Sequence, residues 1–133
     1  MKFLCLVCTE RMYEQLPPDE AARLLDDYLA FMDDIRESGH YVGSNRLLPA
    51  ASAVTLRVRD GKLSTTDGPY AETKEQIGGY FVLEARDLNE AIRVAAKIPG
   101  ARQGCVEVRA IAESAQDRVH ARVPQPHPRT EMR

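Results

Sequence analysis

Gly79-Tyr80-Phe81-Val82-Leu83-Glu84-Ala85-Arg86-Asp87-Leu88-Asn89-Glu90-Ala91-Ile92 is the stretch on which the fold turns. It opens as a strongly apolar run over 79–85, the pattern of a buried strand. Asp87 and Glu90 then stand three apart, the capping-box spacing of a helix N-terminus. Ala91, Ile92, Ala95, Ala96 and Ile98 carry that helix on, and Pro99-Gly100 stops it. Beyond it, Val106, Val108 and Ala110 alternate with Glu107, Arg109 and Ile111, which predicts a last strand. Residues 79–111 therefore read as strand, helix, strand.

The same order is legible upstream. Lys2 to Cys8 is almost continuously apolar, as a strand covered on both faces would be. Leu16-Pro17-Pro18-Asp19-Glu20 is a stop followed by a helix start, with prolines before an acidic first turn. Ala21, Leu24, Leu25, Tyr28, Phe31, Met32 and Ile35 then recur at helical spacing, with Arg23, Asp26, Asp27, Asp33, Asp34 and Glu37 opposite them. Gly39 is the expected C-cap. Tyr41 to Leu48 fits no single pattern, and Pro49 closes it. From Ala53 to Arg59, Val54, Leu56 and Val58 alternate with Thr55, Arg57 and Arg59. Asp60-Gly61 then turns the chain into Lys62-Leu63-Ser64-Thr65 as a two-residue hairpin.

Strand, helix, hairpin, strand, helix, strand is a ferredoxin-like α+β layout: an antiparallel sheet with two helices on one face. No third helix is available within residues 1–111 to cover the other sheet face. A partner subunit is the economical cover, so a homodimer packed sheet to sheet is expected. Residues 113–133 change character, with Pro124, Pro126 and Pro128 interrupting any regular element. They read as a tail, flexible or packed on a partner.

The bulk numbers bound the function. A chain of 133 residues is one domain. A net charge of -2 gives no overall basic field for nucleic acid or an anionic membrane. The apolar runs are far shorter than a membrane span, and the N-terminus lacks a secretory pattern, so a cytoplasmic location is expected. Cys5 and Cys8 form a C-x-x-C, but three residues apart on a strand they point to opposite faces. Both read as buried structural thiols, and Cys105 likewise.

The polar stretch Asp67-Gly68-Pro69-Tyr70-Ala71-Glu72-Thr73-Lys74-Glu75 has two readings. Asp-Gly-Pro is a good turn, and the charges after it are an ordinary solvated run. Alternatively, Asp67, Glu72 and Lys74 line a pocket, where two carboxylates and an ammonium could exchange protons or hold a polar ligand. His40 follows a helix end, and His120 and His127 lie in the tail without metal-ligand spacing, so no metal or other cofactor is expected. Arg57 and Arg59 suit a salt bridge or a dimer interface, and no glycine-rich phosphate loop is present.

The same nine residues, with Gly78-Gly79-Tyr80 after them, resemble the hallmark of the YCII-related family in its DGPF-domain branch, with Tyr70 in place of the phenylalanine. Gly39 to Gly43, Val54 to Gly61 and Cys105-Val106-Glu107-Val108-Arg109 support the resemblance over about residues 1–112. It implies a ferredoxin-like subunit of a dimeric α+β barrel. It also implies enzyme-like chemistry at a cleft between helices and sheet, where the family carries a histidine and an aspartate. The motif aspartate is matched by Asp67 and the histidine position by Tyr28. A tyrosine with a pKa of about 10 is a poor base at neutral pH but can donate a hydrogen bond. The resulting expectation is a small enzyme-like dimer that binds a small polar ligand. Asp67 would be catalytic, Tyr28 and Tyr70 would orient the ligand, and Glu72 and Lys74 would tune charge. Family members joined to sigma factors imply the alternative: a non-catalytic accessory module in sigma-factor-dependent transcription. A third reading makes the motif a structural turn.

Overall fold

A computed structural model of the chain describes residues 1–11 and 13–112. The expectation of a tail over 113–133, with His120 and His127, lies outside the described residues. In chain order the elements are β1 (Lys2–Thr9), α1 (Pro18–Glu37), β2 (Tyr41–Arg46), β3 (Val54–Arg59), β4 (Lys62–Asp67), β5 (Gln76–Glu84), α2 (Leu88–Ala95) and β6 (Cys105–Ala110). Among the described residues the architecture is α+β, with two α-helices and antiparallel sheets.

The main sheet runs β2-β5-β1-β6, and every neighbouring pair is antiparallel. Tyr41 to Arg46, which carried no clear pattern, forms its edge strand β2. Gly43, Ser44 and Asn45 mask the strand signal, and a register shift between Tyr41 and Gly43 breaks the alternation. The β3–β4 hairpin is not part of this sheet but a separate two-stranded one. Alternation predicts which side chains share a face, not which sheet they join. Asp60 and Gly61 both have positive φ, 53° and 74°, as a type I′ turn requires. The hairpin's apolar face finds no core: Val54, Leu56, Val58 and Leu63 are exposed.

One sheet face carries the core. Phe3, Cys5 and Val7 of β1 and Phe81 and Leu83 of β5 are buried there, in register as Phe3↔Leu83 and Cys5↔Phe81. Phe31 and Ile35 of α1 and Val94 and Ala95 of α2 pack on that face, with Ile98. Phe31 meets Phe81 edge to face at 5.2 Å, worth about 1 kcal/mol beyond its burial. The opposite face departs from the sequence expectation for β1. Leu4, Leu6, Tyr80 and Val82 are only half-buried, because among the described residues no helix covers them.

The helix ends follow their local chemistry. Pro18 opens α1 with Asp19 and Glu20 in the first turn. At its C-terminus, Gly39 sits at φ 83°. The Gly39 N–H bonds Arg36 O at 3.2 Å and the His40 N–H bonds Ile35 O at 2.9 Å, which is a Schellman ending. Asp87 caps α2 by accepting the Glu90 N–H at 2.9 Å. The Glu90 carboxylate returns to the Arg86 N–H at 2.7 Å, one residue before the cap itself.

The cysteines separate. Cys5 is buried, Cys8 is half-buried and Cys105 is exposed, so the buried reading holds for the first and fails for Cys105. On β6, Val106 and Val108 face the core, which turns Cys105, Glu107 and Arg109 outward. Cys105 pairs in register with Cys8, and its thiol donates to Glu75 at 3.3 Å. That carboxylate is the main reason its pKa is pushed up to about 11. No helix among the described residues is long and apolar enough to cross a membrane.

Candidate functional site

A cavity of about 370 Å³ lies between α1 and one rim of the sheet. The rim is where β1 ends, β2 ends and β5 begins. Leu24, Leu25, Tyr28 and Met32 of α1 form one wall, and Val7 and Phe81 form the floor. Asn45, Arg46 and Leu47, and Arg11, Tyr13 and Gln103, complete the lining. The volume is within the range of small-molecule sites.

Two glycines make this space possible. A Cβ at Gly79 would stand 2.9 Å from the Asn45 carbonyl, so glycine lets β2 close on β5 there. A Cβ at Gly100 would stand 2.5 Å from Val7 Cγ1 and 2.7 Å from the Tyr28 hydroxyl. Glycine at 100 therefore leaves that hydroxyl its seat, and the Gly100 N–H donates to it at 3.1 Å. The Tyr28 ring stacks parallel to Phe81, centroids 6.2 Å apart. Burial raises the Tyr28 pKa, against smaller opposing effects of the Gly100 N–H and of Arg102. The hydroxyl thus stays protonated at neutral pH. Its oxygen accepts from Gly100, and its proton has no acceptor among the described residues.

The charged side chains lining the cavity are Arg11 and Arg46. Each is steadied from outside by an acid that does not line it. Arg11 Nη2 contacts both carboxylate oxygens of Glu20, at 2.7 and 3.2 Å. Arg46 Nη1 pairs with Glu14, whose carboxyl it holds below the usual range, and its guanidinium lies over the Tyr13 ring at 5.1 Å. Asn45 donates its amide to the Tyr80 hydroxyl at 2.9 Å.

Of the five residues singled out in the sequence, Tyr28 lines this cavity. The other four are exposed and are not among its described lining residues. Asp67 ends β4 opposite Val54. The turn after it is tied to the hairpin root, with the Gly68 N–H on Ala53 O at 2.6 Å and Thr55 Oγ1 donating to Gly68 O at 2.9 Å. Tyr70 is 82% exposed. Glu72 faces solvent, and Lys74 Nζ lies 3.7 Å from Glu10. The stretch also wraps on itself, Gln76 donating to Thr73 O at 2.8 Å. None of Asp67, Glu72 and Lys74 is among the described residues that line the cleft beneath α1. Sequence reasoning missed Arg11 and Arg46, whose spacing of 35 residues carries no signal until β1 and β2 are brought to the same rim. No group of three or more histidine, cysteine or acidic residues suited to a metal occurs among the described residues.

Comparison with known proteins agrees with the motif. Over 96 residues, 71% of this chain and 77% of the relative, the sequence is 35% identical to an uncharacterised protein of Rhizobium meliloti (strain 1021). The profile of the YCII-related domain matches residues 1–115, which take in both helices, the cavity and the Asp-Gly-Pro motif. The chain belongs to the YCII-related family.

Proposed function

We propose that this protein is a cytoplasmic, enzyme-like homodimer that binds a small polar molecule in the cleft between α1 and the sheet. The observation that carries this is the cavity of about 370 Å³ with the Tyr28 hydroxyl proton unclaimed at its wall. An apolar enclosure with a few convergent donors is the usual make-up of a ligand site. The strand order β2-β5-β1-β6, with both helices on one face, supports the ferredoxin-like reading of the subunit. The half-covered face bearing Leu4, Leu6, Tyr80 and Val82 supports a dimeric barrel. Tyr28 takes the ligand contact in this reading. Asp67 keeps the catalytic role implied by the motif only in an assembly that brings it to a cleft, and Tyr70, Glu72 and Lys74 share that condition.

A thermal-shift screen of small polar metabolites on the full chain tests the proposal. Ligands should raise the melting temperature of the wild type, and Leu24→Trp, which fills the cavity, should remove the rise. Ligands that stabilise Leu24→Trp equally well would refute the site. Asp67→Asn separates the roles: lost stabilisation places Asp67 at the ligand, and unchanged stabilisation assigns it to the turn.

The exposed face of Val54, Leu56, Val58 and Leu63 favours a second reading, a non-catalytic accessory module in sigma-factor-dependent transcription. An apolar strand face in water is a protein-contact surface in search of its partner. Co-purification with a sigma factor supports that reading, and recovery of the homodimer alone counts against it.

A further inference from the structure

We infer that the cleft selects an amphipathic carboxylate, an anion with a compact apolar body, and this rests on the cleft being the ligand site. The charged residues lining it are two arginines, and no acid lines it among the described residues. Each arginine commits a terminal nitrogen to a glutamate on the outer side: Nη2 of Arg11 to Glu20, Nη1 of Arg46 to Glu14. A guanidinium has five N–H donors in a planar fork, so one engaged edge leaves another to face inward. The glutamates thereby hold the forks in place, and holding them lowers the entropy lost when an anion docks. A planar carboxylate matches that fork in two parallel hydrogen bonds. Tyr28, which also lines the cavity, adds a neutral hydroxyl donor.

Beneath these donors the surface changes character. Leu24, Met32, Val7 and Phe81 offer carbon, and no charged side chain lies among them. A free inorganic anion would leave this floor wet, and a neutral hydrocarbon would leave the arginines unused. A carboxylate on an aryl or branched alkyl body satisfies both halves. Because each arginine is already paired, attraction is modest and the apolar body must share the binding.

The experiment is a titration of the full chain followed by amide NMR at Gly79 and Gly100, which flank the floor. The probes are 3-phenylpropionate, its neutral amide 3-phenylpropanamide, and propionate. The acid should bind at least tenfold tighter than either other probe. Arg46→Gln alone leaves Glu14 unpaired and repulsive, so the decisive variant is the double change Glu14→Gln with Arg46→Gln, which is neutral overall. In it, the advantage of the acid over the amide should fall to within about threefold. Equal binding of acid and amide to the wild type at these amides overturns the anion inference and leaves the cleft standing. An advantage that survives both this double variant and the matching one, Glu20→Gln with Arg11→Gln, also overturns it. No response to any probe at Gly79 and Gly100 overturns the inference, while the metabolite screen independently decides the cleft.

Discussion

Replacing Gly100 by alanine puts a methyl group where Val7 and Tyr28 already stand. The added carbon would sit 2.5 Å from Val7 Cγ1 and 2.7 Å from the Tyr28 hydroxyl oxygen, against ordinary carbon contacts of about 3.5–4 Å. Neither neighbour yields freely. Val7 is buried on β1 between β5 and β6, with a side chain stiff at χ1. Tyr28 can swing away only by leaving its stack on Phe81 and the Gly100 N–H. Overpacking of this kind costs about 1–3 kcal/mol, and the hydrogen bond adds about 1 kcal/mol. Gly100→Ala should therefore lose ~2–4 kcal/mol in urea unfolding followed by circular dichroism, a large share of a typical ~5–15 kcal/mol total. In a Tyr28→Phe background one of the two clashes and the hydrogen bond are already gone. There the same change should cost at least about 1 kcal/mol less, the coupling expected of residues in contact. A Gly100→Ala protein within about 0.5 kcal/mol of wild type, or equal costs in both backgrounds, would refute the packing argument.

Asp87→Ala should destabilise the fold by about 1 kcal/mol by removing the cap on the Glu90 N–H, while Asp87→Asn should recover most of it. Glu14→Gln tests a pH dependence. Arg46 lowers the folded pKa of Glu14, so the contribution of the pair is fully present above the ordinary carboxylate range. It is lost as pH falls through the lower folded value. The stability gap between wild type and Glu14→Gln should thus be constant from about pH 7 to 5 and close towards strong acid; a gap that widens in acid would contradict the assignment. Glu75→Gln removes the main cause of the raised Cys105 pKa of about 11. Thiolate should become more abundant, and alkylation at pH 8 should speed up about tenfold after allowing for the weaker nucleophile. Unchanged kinetics would sink the Glu75 contact.

Much of the fold was legible because local chemistry was consistent. Pro18 with the acids after it, Gly39, the Asp60-Gly61 turn and the Asp87 cap each fix an element end with nearest-neighbour contacts, and each stands where the pattern put it. Edge strand β2 was not, because it contacts the core along one side only and tolerates glycine, serine and asparagine. The hairpin's separation from the sheet was not, because alternation is the same in either place. The site divides the same way. Tyr28 was reached through the family resemblance, at the histidine position of the long helix, and lines the cleft. Arg11 and Arg46 are brought to the cleft only by topology, since nothing local distinguishes them from other surface arginines. Asp67 stood out because the motif is conspicuous as sequence, and the chain uses its neighbours to tie down a turn.

The hairpin has a further consequence. The chain leaves the main sheet at Arg46 and re-enters at Gln76, and Arg46 pairs with Gly79. The whole excursion between those points returns to the rim it left, so its length is decoupled from the register of the four main strands. It is a natural place for exchange: a replacement loop could alter what the protein touches while β5 stays aligned by β1 on one side and β2 on the other. Within one fold, the exposed hairpin can diversify at its own pace, and the chamber beneath α1 can keep its shape.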